Sequence, residues 1–222
     1  MLNSLSIILP LYNEEKRLNE TFKKIIKFSK KDKIKFKEFI FVDDGSSDNS
    51  YEIVKKFIKE NSKLKNSRLK LIRLQKNLGK GAALKEGVKA SSGKWILTSD
   101  IDFSVSLFEL KKWEKNNYLK SFYEVYFGSR AHESSNVNQK FHRKIVGNFL
   151  RFLIKFFLNI NIRDTQCGFK LYKRTVAKKL FSKIKFLGYE HDIEIVLLLK
   201  RNNIKIVELP VTWKHVSHSK VN

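Results

Sequence analysis

Two carboxylates separated by one residue, Asp100 and Asp102, follow the apolar segment 95–99. Carboxylate oxygens are the hard ligands that Mg²⁺ and Mn²⁺ prefer, and such a cation neutralises a diphosphate leaving group as the bond to it breaks. A pair of aspartates with this spacing also serves as a turn or a helix cap in many proteins. The pair by itself therefore leaves two interpretations open, a divalent-cation site and an ordinary loop.

A second acidic pair, Asp43 and Asp44, precedes the run Gly45-Ser46-Ser47-Asp48. A tight turn followed by a helix cap explains the glycine and the serines, but it does not require two adjacent aspartates. In other doubly wound folds an acidic residue accepts hydrogen bonds from the ribose of a bound nucleotide. The second pair is therefore a candidate for binding the base or the ribose of a nucleotide.

Small residues open a predicted helix in the run Gly79-Lys80-Gly81-Ala82-Ala83. Backbone N–H groups at such a helix start can approach a phosphate closely. The run has neither the spacing of a P-loop nor that of a dinucleotide-binding fingerprint. It is interpreted either as a plain helix start or as a contact to phosphate.

A repeating strand–helix pattern positions these residues in the first half of the chain. Apolar segments predict strands over residues 5–11, 38–44, 69–74 and 95–100, and helices over about residues 12–30, 48–61 and 79–90. This alternation predicts an α/β fold with a mostly parallel sheet and helices on both faces. Ligands of such sheets bind beyond the carboxyl ends of the strands, where four polar segments are expected to converge: 13–14, 43–44, 77–79 and 100–102.

The second half of the chain alternates less regularly. Its expected elements are a strand at 124–130, a polar loop at 131–139, a helix at about 140–159, helices near 175–185 and 190–202, and a strand at 204–213. The helix at 140–159 has two interpretations. Its phenylalanines pack beneath the sheet, or the helix lies in the headgroup region of a membrane with Arg151 and Lys155 on its polar face.

Composition indicates a single globular domain over residues 1–222. The chain is 42% hydrophobic and contains 18 Phe, which excludes a disordered chain. Its net charge of +24 favours polyanionic partners such as anionic membrane surfaces, nucleic acid or sugar nucleotides, although a codon bias toward A and T explains the lysines equally well. A nucleic-acid-binding module is the remote alternative. No nucleic acid partner is expected, because the lysines are spread over every predicted helix instead of forming one basic stripe with aromatics.

The location of the protein is predicted from three features of the sequence. The lone cysteine, Cys167, can form no internal disulfide, which indicates a reducing compartment. The N-terminus has no secretory signal pattern, and no stretch reaches the roughly 18 to 20 apolar residues that span a bilayer. A cytoplasmic protein is expected, with peripheral contact to the cytoplasmic face of a membrane.

The polar segments occur in the order and spacing of family 2 glycosyltransferases, which the chain resembles. The resemblance is carried by residues 10–15 (PLYNEE), 42–46 (VDDGS), 77–81 (NLGKG) and 100–102 (DID). Residues 128–130 (GSR) and 163–171 (RDTQCGFKL) are similar to the dolichyl-phosphate β-glucosyltransferases and related polyprenyl-phosphate glycosyltransferases. The resemblance covers nearly the whole chain. It implies a GT-A fold with a donor-binding half at about 1–103 and an acceptor- or membrane-side half at about 104–222.

The resemblance also implies a role for each matching residue. The base of the donor would be held by Pro10, Tyr12, Glu14 and Asp44. The ribose, the diphosphate and a Mg²⁺ or Mn²⁺ ion would be served by Asp100 and Asp102, with Lys80 near the donor. The acceptor side would be lined by Arg163, Asp164 and Gln166. The candidate catalytic residues are Asp102, Arg130, Asp164 and Asp192. Of these, Arg130 would contact the charged phosphate of the donor or the acceptor, and Asp192 would lie near the reacting centre.

The resemblance implies an inverting transfer of a sugar, glucose from UDP-glucose, onto a polyprenyl or dolichyl phosphate. A phosphate monoester has a second pKa of about 6, so near neutrality it is largely a dianion and needs no strong general base. The alternative acceptor is a hydroxyl group of a glycan or lipid, from which Asp164 or Asp192 would take the proton. The eukaryotic relatives carry an N-terminal membrane anchor and many bacterial relatives carry C-terminal transmembrane helices, and no segment of this sequence matches either.

Overall fold

The computed structural model describes residues 2–31, 34–64, 67–138 and 162–214. Its first elements are β1 (Ser4–Leu11), α1 (Glu15–Lys31), β2 (Phe36–Asp43), α2 (Ser50–Glu60), β3 (Ser67–Arg73), α3 (Lys80–Ala90) and β4 (Trp95–Thr98). These are followed by α4 (Glu109–Lys115), β5 (Val125–Ser129), β6 (Asn136–Asn138), β7 (Lys170–Lys173), α5 (Arg174–Lys183), α6 (His191–Arg201), β8 (Ile206–Pro210) and β9 (Thr212–Lys214). The strand–helix order predicted for the first half is confirmed, whereas α4 was not predicted. The helix predicted at 140–159, with Arg151 and Lys155, lies outside the described residues.

Seven strands form one sheet in the order β3-β2-β1-β4-β7-β5-β8. All neighbouring strands are parallel except β7, which is antiparallel to both β4 and β5. Strands β1 to β5 therefore end at the same edge of the sheet, which we call the site edge. The predicted α/β fold with a mostly parallel sheet is confirmed.

Helices cover both faces of the sheet. Successive strand residues point to opposite sides, so a continuously apolar strand presents apolar side chains to both layers of helices. On one face, Ile7 and Leu9 of β1 belong to a core that includes buried side chains of α1, α2 and α4. On the other face, Ile8 belongs to a core formed with α3, α5 and α6. The continuous apolar strands seen in the sequence are thus buried on both sides. No helix in this described part of the chain is long and apolar enough to cross a membrane.

The strand predicted at 204–213 is wrong as a single element. It forms two strands in different sheets, since β8 pairs with β5 and β9 pairs with β6. The break falls at Val211, whose N–H group donates to the hydroxyl of Ser135 at 2.9 Å. It follows Pro210, which has no N–H group to extend a strand ladder. The segment 131–139, predicted as a loop, correspondingly contains β6.

Candidate active site

The loops after β1 and β2 are tied together at the site edge. Asn13 has a φ of 54°, and its side-chain oxygen accepts hydrogen bonds from the N–H groups of Ser47 at 2.8 Å and Asp48 at 3.2 Å. The N–H group of Glu14 donates to the hydroxyl of Ser50 at 2.6 Å. The polar residues after these two strands therefore join the two loops to each other, and the expected convergence of the segments is observed.

Asp43 and Asp44 are buried and hold neighbouring loops. The Asp44 carboxylate accepts hydrogen bonds from the N–H groups of Leu78 and Gly79, both at 2.8 Å. Asp43 lies 3.3 Å from Nε of Arg73. Burial raises the pKa of Asp44 above its ordinary value, although the two N–H donors oppose this shift. Both carboxylates thus support the loops after β2 and β3, and their binding to a base or ribose stays a prediction.

The glycines at the start of α3 allow two chain segments to approach closely. The carbonyl oxygen of Leu187 accepts hydrogen bonds from the N–H groups of Gly81 at 2.7 Å and Ala82 at 3.2 Å. Gly79 has a φ of 102°, and a Cβ atom there would lie 2.4 Å from the same oxygen. The N–H groups of residues 78, 79, 81 and 82 therefore all have protein partners. These four groups support the loop in this structure, and contact of the run 79–83 with phosphate stays a prediction.

Lys80 and Asp100 form an ion pair in which Nζ donates to Oδ1 at 2.6 Å. Gly168 packs against this carboxylate, and a Cβ atom there would lie 2.6 Å from Oδ1. Burial opposes ionisation of Asp100, but Lys80, with help from Arg130 and Lys170, outweighs burial and lowers the pKa of Asp100. Burial likewise opposes the charge on Lys80, yet Asp100 raises its pKa above the ordinary value. Both groups are therefore charged at neutral pH.

Asp102 is held by helix α1. Nη1 of Arg17 donates to Oδ2 of Asp102 at 3.1 Å, and the same guanidinium lies 2.6 Å from Glu14. Oδ1 of Asp102 accepts from the N–H and hydroxyl groups of Ser104, both at 2.9 Å. Lys24 donates to the backbone carbonyl of Asp102 at 2.7 Å. One face of α1 thus fixes the loop after β4.

Arg130 and Asp164 form a two-pronged ion pair, with Nε to Oδ2 at 2.7 Å and Nη2 to Oδ1 at 2.9 Å. Burial opposes ionisation of Asp164, but Arg130 outweighs it and lowers the pKa of Asp164. The N–H group of Gln166 also donates to this carboxylate at 3.2 Å. Arg163 instead directs its guanidinium to the exposed Glu133, at 3.2 Å. The structure therefore joins Arg130, Asp164 and Gln166 and separates the side chain of Arg163 from them.

A buried ion pair joins Lys170 of β7 to Asp192 of α6. Nζ of Lys170 also lies 5.0 Å from the ring centre of Phe127. Nε2 of His191 lies 3.3 Å from Oδ1 of Asp192, and its Nδ1 lies 2.6 Å from the carbonyl oxygen of Gly188. Burial lowers the pKa of His191, although Asp192 opposes this shift. Asp192 is thus enclosed by a cation and an imidazole.

Three residues of this site were not predicted from the sequence. Arg17 follows Glu14 by three residues, a helical spacing at which opposite charges meet, and that signal was present. Lys170 lies within the run 163–171 that carries the resemblance, but its partner Asp192 is 22 positions away. His191 directly precedes Asp192 at the start of α6. No local spacing indicates that Lys170 lies beside these two residues.

Asp100 and Asp102 fit a divalent cation in ligand type. The side chain of Asp100 is 45% exposed, so this carboxylate can be reached from solvent. Both oxygens of Asp102 already accept hydrogen bonds. In residues 2–31, 34–64, 67–138 and 162–214, no group of three His, Cys, Asp or Glu side chains is arranged to hold a metal. Protein Mg²⁺ sites commonly use one or two carboxylates and complete their shell with substrate phosphates and water, so the pair suits a cation that arrives with a diphosphate.

This fold is that of the GT-A glycosyltransferases. Glucosyl-3-phosphoglycerate synthase from Mycobacterium tuberculosis, solved in complex with Mn²⁺ and UDP-glucose, superposes with a TM-score of 0.65 at 16% identity. The match covers 99% of this chain and 73% of that chain. The predicted GT-A fold is confirmed.

Residues 6–181 match the model of glycosyl transferase family 2. The dolichyl-phosphate beta-glucosyltransferase of Dictyostelium discoideum is 35% identical over 230 residues, which covers 98% of this chain and 68% of that protein. The human dolichyl-phosphate beta-glucosyltransferase is 34% identical over 227 residues, covering 98% of this chain and 69% of that protein. The chain therefore belongs to glycosyl transferase family 2, and it is a glycosyltransferase similar to the dolichyl-phosphate beta-glucosyltransferases, as predicted.

Proposed function

We propose that this glycosyltransferase moves glucose from UDP-glucose onto a polyprenyl or dolichyl phosphate, with inversion and with a Mg²⁺ or Mn²⁺ ion. The lipid phosphate is suggested by the names of the sequence relatives. The donor and the cation are suggested by the complex of the structural neighbour. The observation that carries the choice of acceptor is the pairing of the acidic residues at the site edge.

Each of three carboxylates at the site is paired with a cation: Asp100 with Lys80, Asp164 with Arg130, and Asp192 with Lys170. For Asp100 and Asp164 the paired cation outweighs the effect of burial and lowers the pKa, so that these two carboxylates bind a proton weakly. A general base works best when its pKa lies near the operating pH, so the lowered pKa values of Asp100 and Asp164 make these two carboxylates poor bases. A phosphate acceptor is already largely a dianion near neutrality and needs none. The paired carboxylates thus favour a phosphate over a hydroxyl acceptor.

The cations of these pairs supply the charge that two phosphate-bearing substrates require. Lys80 lies beside the carboxylate nearest the expected diphosphate and is the candidate for contacting the donor. Arg130 donates to Asp164 through Nε and Nη2, and its Nη1 would contact a phosphate. Lys170 is buried next to Asp192 and adds a third positive charge to those of Lys80 and Arg130. When bound at Asp100 and Asp102, a divalent cation would neutralise the departing diphosphate.

The donor base and ribose would lie along the ends of β1 and β2. Tyr12 follows β1 and is 37% exposed, and its ring would contact the base. Glu14 and Asp44 lie on the two neighbouring loops, and Pro10 pairs with β2 in the sheet. Asp43 is buried below them. The acceptor would approach from the side of Arg130, at the cytoplasmic face of a membrane.

Radiolabelled UDP-glucose, Mn²⁺ and detergent-solubilised polyprenyl phosphate provide the test. The expected product is label that partitions into organic solvent, is lost when EDTA removes the cation, and has the β configuration at the anomeric carbon by NMR. Release of free glucose without any lipid-linked product would contradict the lipid phosphate acceptor while leaving the glycosyltransferase class unchanged.

A further inference from the structure

We propose that residues 184–190, which connect α5 to α6, form a membrane-contact loop whose aromatic side chains enter the interface of an anionic lipid bilayer beside the site edge. The inference rests on the proposed function, because a lipid acceptor gives the contact its use. We call this segment the aromatic loop. Its partner is a phospholipid surface, recognised by apolar side chains flanked by positive charge.

Two aromatic side chains of the aromatic loop face solvent. Phe186 is 58% exposed and Tyr189 is 65% exposed. Single apolar side chains scattered over a surface need no explanation, but two within four residues form a local patch. Aromatic rings are favoured at membrane interfaces, where an apolar ring can be buried while a polar tip stays hydrated. The loop therefore has the composition of an interfacial contact.

The aromatic loop is fixed to the enzyme by hydrogen bonds. The carboxylate of Glu194 accepts from the N–H groups of Lys185 and Phe186, with contacts of 2.9 to 3.0 Å. The carbonyl oxygen of Leu187 accepts from the N–H group of Gly81 at 2.7 Å. A loop whose backbone is held in this way presents its side chains without a further ordering cost on binding.

The position of the aromatic loop places a bound membrane next to the reacting groups. Leu187 contacts the start of α3, where Lys80 begins the helix. His191 and Asp192, which begin α6, follow the loop directly in the chain. A bilayer that takes up Phe186 would therefore lie beside the site edge and deliver a lipid headgroup there.

The surface that adjoins the aromatic loop is basic. The second half of α5 and the loop contain three exposed lysines, Lys179, Lys183 and Lys185, and one exposed acidic residue, Glu190. Basic side chains near a membrane are attracted to anionic headgroups, and salt weakens the attraction. The charge and the aromatic rings together favour an anionic bilayer over a neutral one.

Binding to vesicles, measured by co-sedimentation, tests the loop directly. Phe186→Ser is expected to weaken binding to vesicles of phosphatidylcholine and phosphatidylserine by about tenfold, because one interfacial aromatic side chain is lost. The matched control is Phe122→Ser, since Phe122 is 71% exposed but precedes β5 and so lies at the opposite edge of the sheet. The control should bind as the unaltered protein does. Equal binding by Phe186→Ser, or an equal loss in both variants, would overturn the proposal.

Charge and insertion are separated by two further variants. Lys183→Gln combined with Lys185→Gln should weaken binding to anionic vesicles and reduce its salt dependence, with little effect on neutral vesicles. Phe186→Trp should keep binding and shift its fluorescence to shorter wavelength when anionic vesicles are added. A missing shift would contradict insertion. Tighter binding to single-stranded RNA than to anionic vesicles, with the same loss in Phe186→Ser, would assign the surface to nucleic acid and contradict the proposal.

Transfer to two acceptors distinguishes failure of the loop from failure of the proposed function. With a long-chain polyprenyl phosphate in vesicles, Phe186→Ser should raise the KM for acceptor, whereas kcat/KM for a short, water-soluble prenyl phosphate should stay unchanged. An equal loss with both acceptors would contradict a role in membrane contact. If the unaltered protein transfers to neither acceptor, the proposed function fails, and vesicle binding still decides whether the loop contacts lipid.

Discussion

The ammonium group of Lys80 lies 2.6 Å from Oδ1 of Asp100, the carboxylate expected to help hold a divalent cation. Two cations at one carboxylate repel each other, so the lysine and the metal compete for Asp100. A nucleotide diphosphate adds negative charge and relieves this competition. We therefore expect Mn²⁺ to bind weakly to the protein alone and tightly together with UDP.

Lys80→Met should tighten binding of Mn²⁺ in the absence of nucleotide by about tenfold, because one nearby positive charge in a partly exposed site is removed. Titration followed by electron paramagnetic resonance measures the free ion directly. The control is Lys85→Met, which removes the same charge from α3 where Nζ contacts the carbonyl oxygen of Ile184. An unchanged affinity in Lys80→Met would show that the ion pair does not oppose the metal.

Arg130→Lys should destabilise the protein by about 2 kcal/mol, because lysine cannot form the two-pronged contact to the buried Asp164. The matched control is Arg163→Lys, whose partner Glu133 is exposed, and which should cost less than about 0.5 kcal/mol. Denaturant unfolding measures both free energies. Equal effects of the two substitutions would contradict the structural difference between these arginines.

Gly79→Ala should destabilise the protein by about 1 to 3 kcal/mol. Its φ of 102° is unfavourable for any other residue, and the added Cβ atom would meet the carbonyl oxygen of Leu187 at 2.4 Å. Gly188→Ala is the control, because its new atom would meet only the flexible carboxylate end of Glu190. Thermal unfolding compares the two, and a smaller loss at Gly79 than at Gly188 would be inconsistent with this geometry.

His191 should make stability depend on pH below its ordinary pKa of 6.5. Burial lowers its pKa in the folded state, so the unfolded chain binds the proton more readily. The contribution of His191 to the free energy of unfolding is therefore complete above pH 6.5 and decreases as the pH falls toward the folded-state pKa. His191→Gln should remove this part of the pH dependence. Parallel curves of unfolding free energy against pH for both proteins would contradict the assignment.

Local patterns in the sequence predict the first half of the fold well. Ile7, Ile8 and Leu9 form a continuous apolar run, and such a run fits only a strand that is buried on both faces. Because these strands are parallel, the polar residues that directly follow them all lie at the site edge. The ion pair between Lys80 and Asp100 follows from this arrangement.

The second half depends on pairings between distant segments, which local patterns do not reveal. Thr98 pairs with Lys170, and this antiparallel insertion of β7 brings Lys170 to Asp192. Ser129 pairs with Pro210, where β8 ends and the chain leaves for another sheet. The sequence contained both segments, but the sheet order that joins them is set by tertiary packing.

The most direct test of the proposed transfer compares two lipid acceptors of equal chain length, a polyprenyl phosphate and the corresponding polyprenol, with radiolabelled UDP-glucose and Mn²⁺. We predict label in the phosphate-linked product alone, and loss of about 100-fold or more in that transfer in Asp102→Asn, because charge at the cation site is removed. Comparable transfer to the polyprenol would contradict the proposed acceptor, since a hydroxyl acceptor requires a general base, and the lowered pKa values of Asp100 and Asp164 make both poor bases.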